Sequence, residues 1–276
     1  MLIVPTATMR YPMGLERLYA KELRAYVRKE MEIIKEHVPE MVGAVMKNRI
    51  RVDEDEPDEE SDWIAVLLAL IFANVSRSVF VRDKVEKIFR DVQIFADSQW
   101  NRVMESTFGG ITALPAGYLE DMRKIKELFL YQNLKLIKSI DDDIREGLYY
   151  TLARNAVSSV DVDDVERQIV DYIKKRTEMA EKRAVLIGSD QVGKLYGQIN
   201  QYYQQKNGIE SYVWRTMMDN RVRPEHRARE GKIFRWDNPP PDGHPGYPVR
   251  CRCYADPLYD TSKTIQQPIK GKYKVM

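Results

Sequence analysis

The sequence changes character over residues 214–253, which read WRTMMDNRVRPEHRAREGKIFRWDNPPPDGHPGYPVRCRC. This stretch contains both cysteines and two of the three histidines of the 276-residue chain. Short runs of strand-forming residues, at 211–216 and 233–236, alternate with turn and proline-rich segments. We therefore predict a small C-terminal α+β module in which residues 250–254 form a third short strand.

The rest of the chain has the apolar periodicity of long helices. Pro39 is expected to kink or end the first of them, and Asn207-Gly208 to end the last, which we expect to contain a break. The fold class predicted from this pattern is mainly α, with long helices and a small α+β module. The predicted helical segments cover 14–50, 63–108 and 118–155. A last helix runs to 205 and begins at residues 161–164 (DVDD), whose acidic side chains suit the N-terminus of a helix.

These patterns predict three parts along the chain. Residues 1–160 form a helical domain with an acidic loop at 53–62, which is too polar and proline-interrupted to pack. Such a loop is typically solvated, and an acidic patch that holds a basic neighbour or mimics DNA is the alternative. Residues 161–258 form the module, whose strand-containing part begins at 209, and residues 259–276 form a tail.

Charge is unevenly distributed although the whole chain carries a net charge of only +2. Residues 201–276 contain 14 Lys/Arg and 8 Asp/Glu, whereas the first 200 residues contain 30 and 34. A basic C-terminal third suits contact with nucleic acid or with an acidic protein, and it also suits a merely solvated basic surface.

Several protein classes are disfavoured by composition. Two cysteines are too few for a disulfide-rich secreted scaffold, and residues 1–5 lack the apolar run of a signal peptide. The most apolar segment, 63–75, is 13 residues long, short of the roughly 20 needed to span a bilayer. We therefore expect synthesis in a cytoplasm and no membrane partner.

One segment superficially resembles a nucleotide-binding loop. Residues 188–194 (GSDQVGK) match the start of a phosphate-binding loop, but Leu195 stands where the magnesium-binding hydroxyl is required. The alternating strand–helix pattern of a parallel sheet is also missing. We therefore predict no nucleotide cofactor, and a helix with Leu186, Val192, Leu195 and Ile199 on or near one apolar face.

The cysteines and histidines of the module are candidate metal ligands. Cys251 and Cys253 are two residues apart, which places both thiols on one face of an extended segment. Zinc takes four ligands of this kind, and His226 and His244 would complete a Cys2His2 site. The alternative is a pair of buried, reduced cysteines with a hydrogen-bonded His226 and an exposed His244.

Arginines surround these residues. Their forked donors suit a DNA backbone or an acidic partner, although Asp219, Glu225, Glu230 and Asp237 could pair with them internally. The candidate partner-contact residues are Arg221, Arg223, Arg227, Arg229, Arg250 and Arg252.

A catalytic function is less favoured by the sequence. A metal-dependent nuclease with His226 as general base is the alternative, but such a site keeps an open coordination position, which a Cys2His2 set closes. The motifs of serine hydrolases, zinc proteases and nucleobase deaminases are not found. We predict no catalytic residues.

In combination, the motifs of residues 165–258 resemble the phage Mu F-like minor head proteins, also called phage head morphogenesis proteins. The most specific elements are an R-x-x-H run, a glycine shortly after it, and C-R-C preceded by prolines. The shared elements are Arg183-Ala184, Asp190-Gln191, Gly208-Ile209, Val213-Trp214, Asp219-x-Arg221-Val222-Arg223-x-x-His226, Gly231 and Cys251-Arg252-Cys253.

The resemblance implies a structural phage protein present in few copies per particle. It implies association with the portal and the capsid interior, contact with the major capsid or scaffolding protein and with viral DNA, and assistance to head assembly, DNA packaging or ejection. The expected location is the virion, and the host cytoplasm during assembly. A toxin delivered by a Mu F-like module is a further alternative, for which the chain has little sequence after Cys253.

Overall fold

The computed structural model describes residues 2–49, 62–78, 81–109, 114–262 and 273–275. Helices dominate these residues, and a small sheet combines strands from the C-terminal region with one strand at the N-terminus, so the predicted mainly α fold class is confirmed. None of the described helices combines the length and the apolar character needed to cross a bilayer. The helices are α1 (Met13–Glu36), α2 (Val38–Lys47), α3 (Trp63–Ser78), α4 (Arg82–Phe108), α5 (Tyr118–Ala156), α6 (Val162–Lys206) and α7 (Pro224–Arg227).

Helix boundaries follow local sequence signals. The segment predicted as one helix over 14–50 is divided at His37, and Pro39 lies in the first turn of α2, where a missing amide hydrogen costs nothing. Residues 63–108 likewise form two helices. In the acidic loop, residues 53–61 lie outside the described part, whereas Asp62 Oδ1 accepts a hydrogen bond from the Ala65 amide at the start of α3.

Helix α6 is continuous over 45 residues, so the predicted break is wrong. Asp161 Oδ1 accepts a hydrogen bond of 2.8 Å from the Asp164 amide and caps the helix. At the other end, Gly208 has a φ of 70°, the left-handed conformation that glycine allows beyond a last turn. Of the predicted apolar face, Val192, Leu195 and Ile199 are buried, whereas Leu186 is partly exposed.

The sheet is antiparallel throughout, in the order β3-β2-β4-β1-β5. The third strand begins at Tyr254 rather than at 250, and the predicted tail from 259 starts inside it. Two strands were not predicted, because their hydrogen-bonding partners lie far away in sequence. The strands are β1 (Leu2–Pro5), β2 (Ser211–Arg215), β3 (Ile233–Arg235), β4 (Tyr254–Asp260) and β5 (Tyr273–Val275).

The chain packs as two units, each assembled from separate segments. The unit that contains the sheet, here the strand unit, comprises Met1–Tyr19, Val85–Tyr131 and Gly188–Met276. The second, here the helical unit, comprises Ala20–Lys84 and Gln132–Ile187. These units interleave along the chain, whereas the division predicted at residue 160 is sequential.

Buried polar contacts fix the sheet of the strand unit against α6. The side-chain amides of Asn200 and Gln204 both donate to the carbonyl of Ala255 on β4, at 2.9 and 3.0 Å. Asp256, which is 1% exposed, accepts hydrogen bonds from Arg215 Nε and from the Met9 amide. Because buried polar groups are costly without partners, these contacts favour one position of β4 on the helix.

The helical unit contains a buried pair of carboxyl groups. Glu30 on α1 is 0% exposed, and Asp141 on α5 accepts a 3.1 Å hydrogen bond from the Tyr26 hydroxyl. Burial and the neighbouring Asp141 charge raise the pKa of Glu30 to about 9, and burial raises the pKa of Asp141 to about 6. Glu30 is therefore protonated in the folded protein at neutral pH.

We predict that Glu30→Gln stabilises the protein increasingly as the pH rises from about 5 to 9. The folded pKa of Glu30 exceeds its unfolded value, so its favourable contribution is complete at low pH and is lost as the pH rises through the folded pKa. Glutamine stays neutral and avoids this loss. Thermal unfolding across this range measures the effect, and Glu32→Gln, on an exposed position of α1, is the control. A stability difference that does not vary with pH would contradict the prediction.

Candidate metal centre and arginine cavity

Three side chains of the strand unit that carry soft metal-ligand atoms approach one another, and they come from two separate segments of the chain. His226 lies on the single-turn helix α7, whose first residue is Pro224. Cys251 and Cys253 lie directly before β4, in the segment that follows the proline-rich loop. All three side chains are buried, with 3–4% of each residue exposed, and both cysteines are free thiols.

The ligand atoms of these residues form a compact triangle. Nδ1 of His226 lies 3.5 Å from Sγ of Cys251 and 3.4 Å from Sγ of Cys253. The three atoms all lie within 4.8 Å of one another. We refer to His226, Cys251 and Cys253 as the His/Cys triad. It contains three of the four residues that the sequence suggested as zinc ligands.

His244, the fourth, lies outside the triad. Its Nδ1 is 2.9 Å from the Tyr212 hydroxyl, and its ring packs against Trp236 and Tyr247. Burial lowers the pKa of His244, which keeps the ring neutral within this aromatic cluster. The expected Cys2His2 set is therefore corrected to three residues, because the aromatic residues of β2 and of the loop after β3 hold His244 elsewhere.

A carboxylate orients the triad histidine from the side opposite the sulfurs. Nε2 of His226 lies 2.8 Å from Oδ2 of Asp242, while Arg229 donates to Oδ1 of the same carboxylate at 2.6 Å. The indole of Trp214 packs edge-on against the imidazole, and the Arg229 guanidinium lies over that indole. Nε2 therefore carries a proton toward Asp242, and Nδ1 faces the two sulfurs.

The two thiols differ in acidity because they are adjacent. The hydrogen bond from Cys253 lowers the pKa of Cys251 to about 5, and the contact with His226 acts in the same direction. The pKa of Cys253 is raised, first by its hydrogen bond to Cys251 and then by burial. The pKa of His226 is also raised, by Cys251 and by Asp242. In the absence of a cation, the triad thus favours negative charge on one sulfur.

Two of the six candidate partner-contact arginines are committed to internal ion pairs. Arg229 pairs with Asp242, as described above. Arg252, only 8% exposed, donates from Nη2 to Oδ1 of Asp219 at 2.7 Å. These two residues support the folded module and do not present a free charge at its surface.

The other four arginines lie at the surface. Arg223 and Arg227 each donate to a backbone carbonyl, that of Val249 and that of Asp219. Among the residues that the structure describes, Arg221 has a single ion pair, of 3.8 Å with Asp219, and its side chain is 51% exposed. Arg250 is exposed, and no ion pair is recorded for it among the described residues. Arg221 and Arg250 are therefore the best available for contact with a partner.

A polar cavity of about 220 Å³ adjoins the triad. Its wall includes all three triad side chains, four of the six arginines, Ser189 and Glu16. The arginines are Arg221, Arg223, Arg250 and Arg252. We refer to this space as the arginine cavity.

Two glycines of α6 position the segment from Pro245 to Cys251, here the cysteine segment. The sequence marks Gly193 only as part of the incomplete nucleotide loop, and it does not single out Gly197. A Cβ atom on Gly193 would lie 2.8 Å from the carbonyl oxygen of Cys251, and one on Gly197 would lie 2.6 Å from that of Pro245. Both distances are shorter than a carbon–oxygen contact allows. Glycines four residues apart on one face of α6 therefore let the backbone of the cysteine segment lie directly on the helix.

We predict that Gly193→Ala destabilises the protein by about 1–3 kcal/mol, since the new methyl group meets backbone that cannot rotate away. The matched control is Gly43→Ala in α2, where nothing lies within 4 Å of the added carbon. That substitution should leave the stability unchanged or raise it by about 0.5–1 kcal/mol. Denaturant unfolding compares the two variants, and an equal response would contradict the close approach.

Comparison with known proteins supports the resemblance carried by these motifs. Residues 154–255 match the sequence family described as Phage Mu protein F like protein. This segment of the chain is therefore similar to the phage Mu F-like family. The matched range contains the whole His/Cys triad, Asp242 and both packing glycines of α6.

One relative is an uncharacterized protein of Haemophilus influenzae. It is 36% identical over 135 residues, which cover 48% of this chain and 29% of the relative. The chain therefore corresponds to less than a third of that protein's length. No solved structure matches the chain.

Proposed function

We propose that this protein is a minor capsid component that associates with the portal and the capsid interior of a phage and assists head assembly, DNA packaging or ejection. The proposal rests on the match of residues 154–255 to the Mu F-like family. The partners are the portal protein, the major capsid or scaffolding protein, and viral DNA. The proposed role is structural rather than enzymatic, and the proposed location is the virion.

Surface charge on the module supports a contact role. Arg221 and Arg250 lie on the wall of the arginine cavity, and within the described part of the chain Arg221 has one long ion pair, with Asp219, and Arg250 has none. Arg223 and Arg227 lie nearby in sequence and hold the surrounding loop through backbone carbonyls. Exposed guanidinium groups of this kind bind phosphate or carboxylate with two parallel hydrogen bonds.

The assembly role predicts that the protein is present in phage heads in few copies relative to the major capsid protein. Quantitative mass spectrometry of purified particles, from a host that carries the gene, measures the ratio. Co-expression with the portal protein of the same phage should give a complex that co-purifies. Absence from particles, together with normal heads when the gene is deleted, would reject the proposed role.

The DNA contact predicts binding to a short duplex that weakens steeply with salt. The double variant Arg221→Ala/Arg250→Ala should reduce the slope of log affinity against log salt by about 1–2. Arg123→Ala in α5 is the control, because its side chain is 56% exposed and lies outside the module. Fluorescence anisotropy measures both quantities. Absence of binding at low salt would assign these arginines to protein contacts.

A metal-dependent nuclease is the second candidate, and one observation favours it. The sequence argument against catalysis assumed four protein ligands, but among the described residues three soft side chains come together beside the arginine cavity. A metal with an open position could polarise a phosphate there. Divalent-metal-dependent cleavage of plasmid DNA that His226→Ala abolishes would establish this activity. Well-folded, metal-loaded protein that leaves DNA intact would reject it.

A further inference from the structure

We propose that Cys251, Cys253 and Nδ1 of His226 bind one Zn²⁺ ion, whose fourth coordination position faces the arginine cavity and accepts a small oxyanion. This inference concerns the chemistry of the module and does not depend on the proposed role in head assembly. Its basis is the spacing of the three ligand atoms, the side chains behind them and the charge of the cavity.

The spacing matches a tetrahedral zinc site. Typical Zn–S and Zn–N distances of about 2.3 and 2.0–2.1 Å place a sulfur and a nitrogen ligand about 3.6 Å apart. The observed separations from His226 Nδ1 to the two sulfurs are 3.5 and 3.4 Å. One imidazole nitrogen can share only one proton, so hydrogen bonding alone does not require two sulfurs at equal distance. A cation bound by all three atoms does require it.

A cysteine nucleophile is the competing interpretation, because Cys251, His226 and Asp242 are arranged as a nucleophile, a base and an orienting carboxylate. Such a mechanism needs one accessible thiolate. Here a second thiol, that of Cys253, also contacts Nδ1 of His226, and both cysteines are at most 4% exposed. The Cys253 amide also lies 3.5 Å from Sγ of Cys251, a hydrogen-bond contact that supports a sulfur ligand. These features favour a metal ligand over a nucleophile.

The contacts of His226 on the side away from the sulfurs are those of a metal-binding histidine. Metal ligands of this type usually donate their second ring N–H to a carboxylate, which fixes the tautomer and the ring orientation. Asp242 occupies that position, and Arg229 holds Asp242 in turn. Binding the ion would displace the protons of both thiols, so that Zn²⁺ and two thiolates form a neutral unit.

The fourth position is open in the part of the chain that the structure describes. No other His, Cys, Asp or Glu there joins the triad, and the adjoining space is the arginine cavity. Its wall carries four guanidinium groups and, among the described lining residues, a single carboxylate, that of Glu16. Because the zinc–thiolate unit is neutral, the cavity is left with a net positive charge.

Arg252 points to the kind of ligand that the cavity takes. Its side chain is 7% exposed, one nitrogen pairs with Asp219, and Nη1 is buried without a hydrogen-bond partner among the described residues. A buried, unpaired guanidinium nitrogen is costly unless an acceptor reaches it. A phosphate or carboxylate group can bind the metal through one oxygen and accept from Arg252 through another, and 220 Å³ holds a group of this size.

The metal part is tested on the full chain, purified without added metal. Elemental analysis should give about one zinc per chain. After the zinc is exchanged for Co²⁺, the protein should show sulfur-to-cobalt charge transfer and the intense visible bands of a tetrahedral site. Absence of zinc, absence of these bands and rapid alkylation of Cys251 alone would overturn the proposal in favour of a nucleophile.

Substitutions distinguish the proposed zinc ligands from residues that only lie near them. Cys253→Ser should lower the intensity of the charge-transfer band by at least half, because one of the two thiolate ligands is lost. His244→Phe should retain both the band and the zinc content, since His244 lies outside the triad. Because a ligand variant could simply fail to fold, Asp242→Asn provides a second measure. It keeps all three ligands and should weaken zinc binding about 10- to 100-fold in competition with a chromophoric chelator. Unchanged affinity in Asp242→Asn would contradict the proposed histidine orientation.

The open position is tested with inorganic phosphate and with acetate as probes. Either anion should shift the visible bands of the cobalt-loaded protein in a saturable manner, and the tighter probe identifies the preferred oxyanion. Arg252→Lys, which keeps the charge but loses the fork, should weaken that binding while the charge-transfer band is unchanged. Bands that respond to neither probe would show that the fourth position is closed and would overturn this part of the proposal.

Discussion

Close contact between the backbone of α6 and the backbone of the segment from Pro245 to Cys251 holds the module together. Gly193 and Gly197 remove side chains from one face of α6, and the segment from Pro245 to Cys251 lies against that face at distances that a Cβ atom would prevent. Gly246, with a φ of 92°, completes the contact from the opposite side. This contact fixes the position of Cys251, and through Cys251 that of the other triad residues. The geometry of the triad therefore depends on a packing constraint in a helix that contributes no triad residue.

Charge in the module is organised in two layers. An inner set, represented by Arg229 and Arg252, is paired with Asp242 and Asp219 and supports the triad and the loops around it. An outer set, represented by Arg221 and Arg250, is exposed on the cavity wall. The same residue type thus stabilises the site and provides the charge that a partner would meet, because the forked guanidinium can pair with a carboxylate of the protein or with one from a partner.

Much of the fold could be predicted from local patterns, and its long-range pairings could not. Apolar periodicity and capping residues gave the helices, with boundaries near Pro39, Asp161 and Gly208. Strand β1 lies some 250 residues from its partner β4, so no local signal reveals the pairing. At the site, the cysteine spacing and the R-x-x-H run identified three triad members, but His244 has the same composition cues as His226. Only the aromatic residues around it show that it packs elsewhere.

The sequence by itself determined the fold class, the helices and the likeness of residues 154–255 to the phage Mu F-like family, because periodicity, capping and motif spacing are properties of neighbouring residues. The tertiary structure decided which histidine faces the cysteines, which arginines are free, and why glycines recur in α6. Each of these depends on contacts between residues far apart along the chain, such as Asp242 with His226 and Gly193 with Cys251. Residue type alone does not distinguish a ligand from a packing residue, since burial, orientation and partners decide the role.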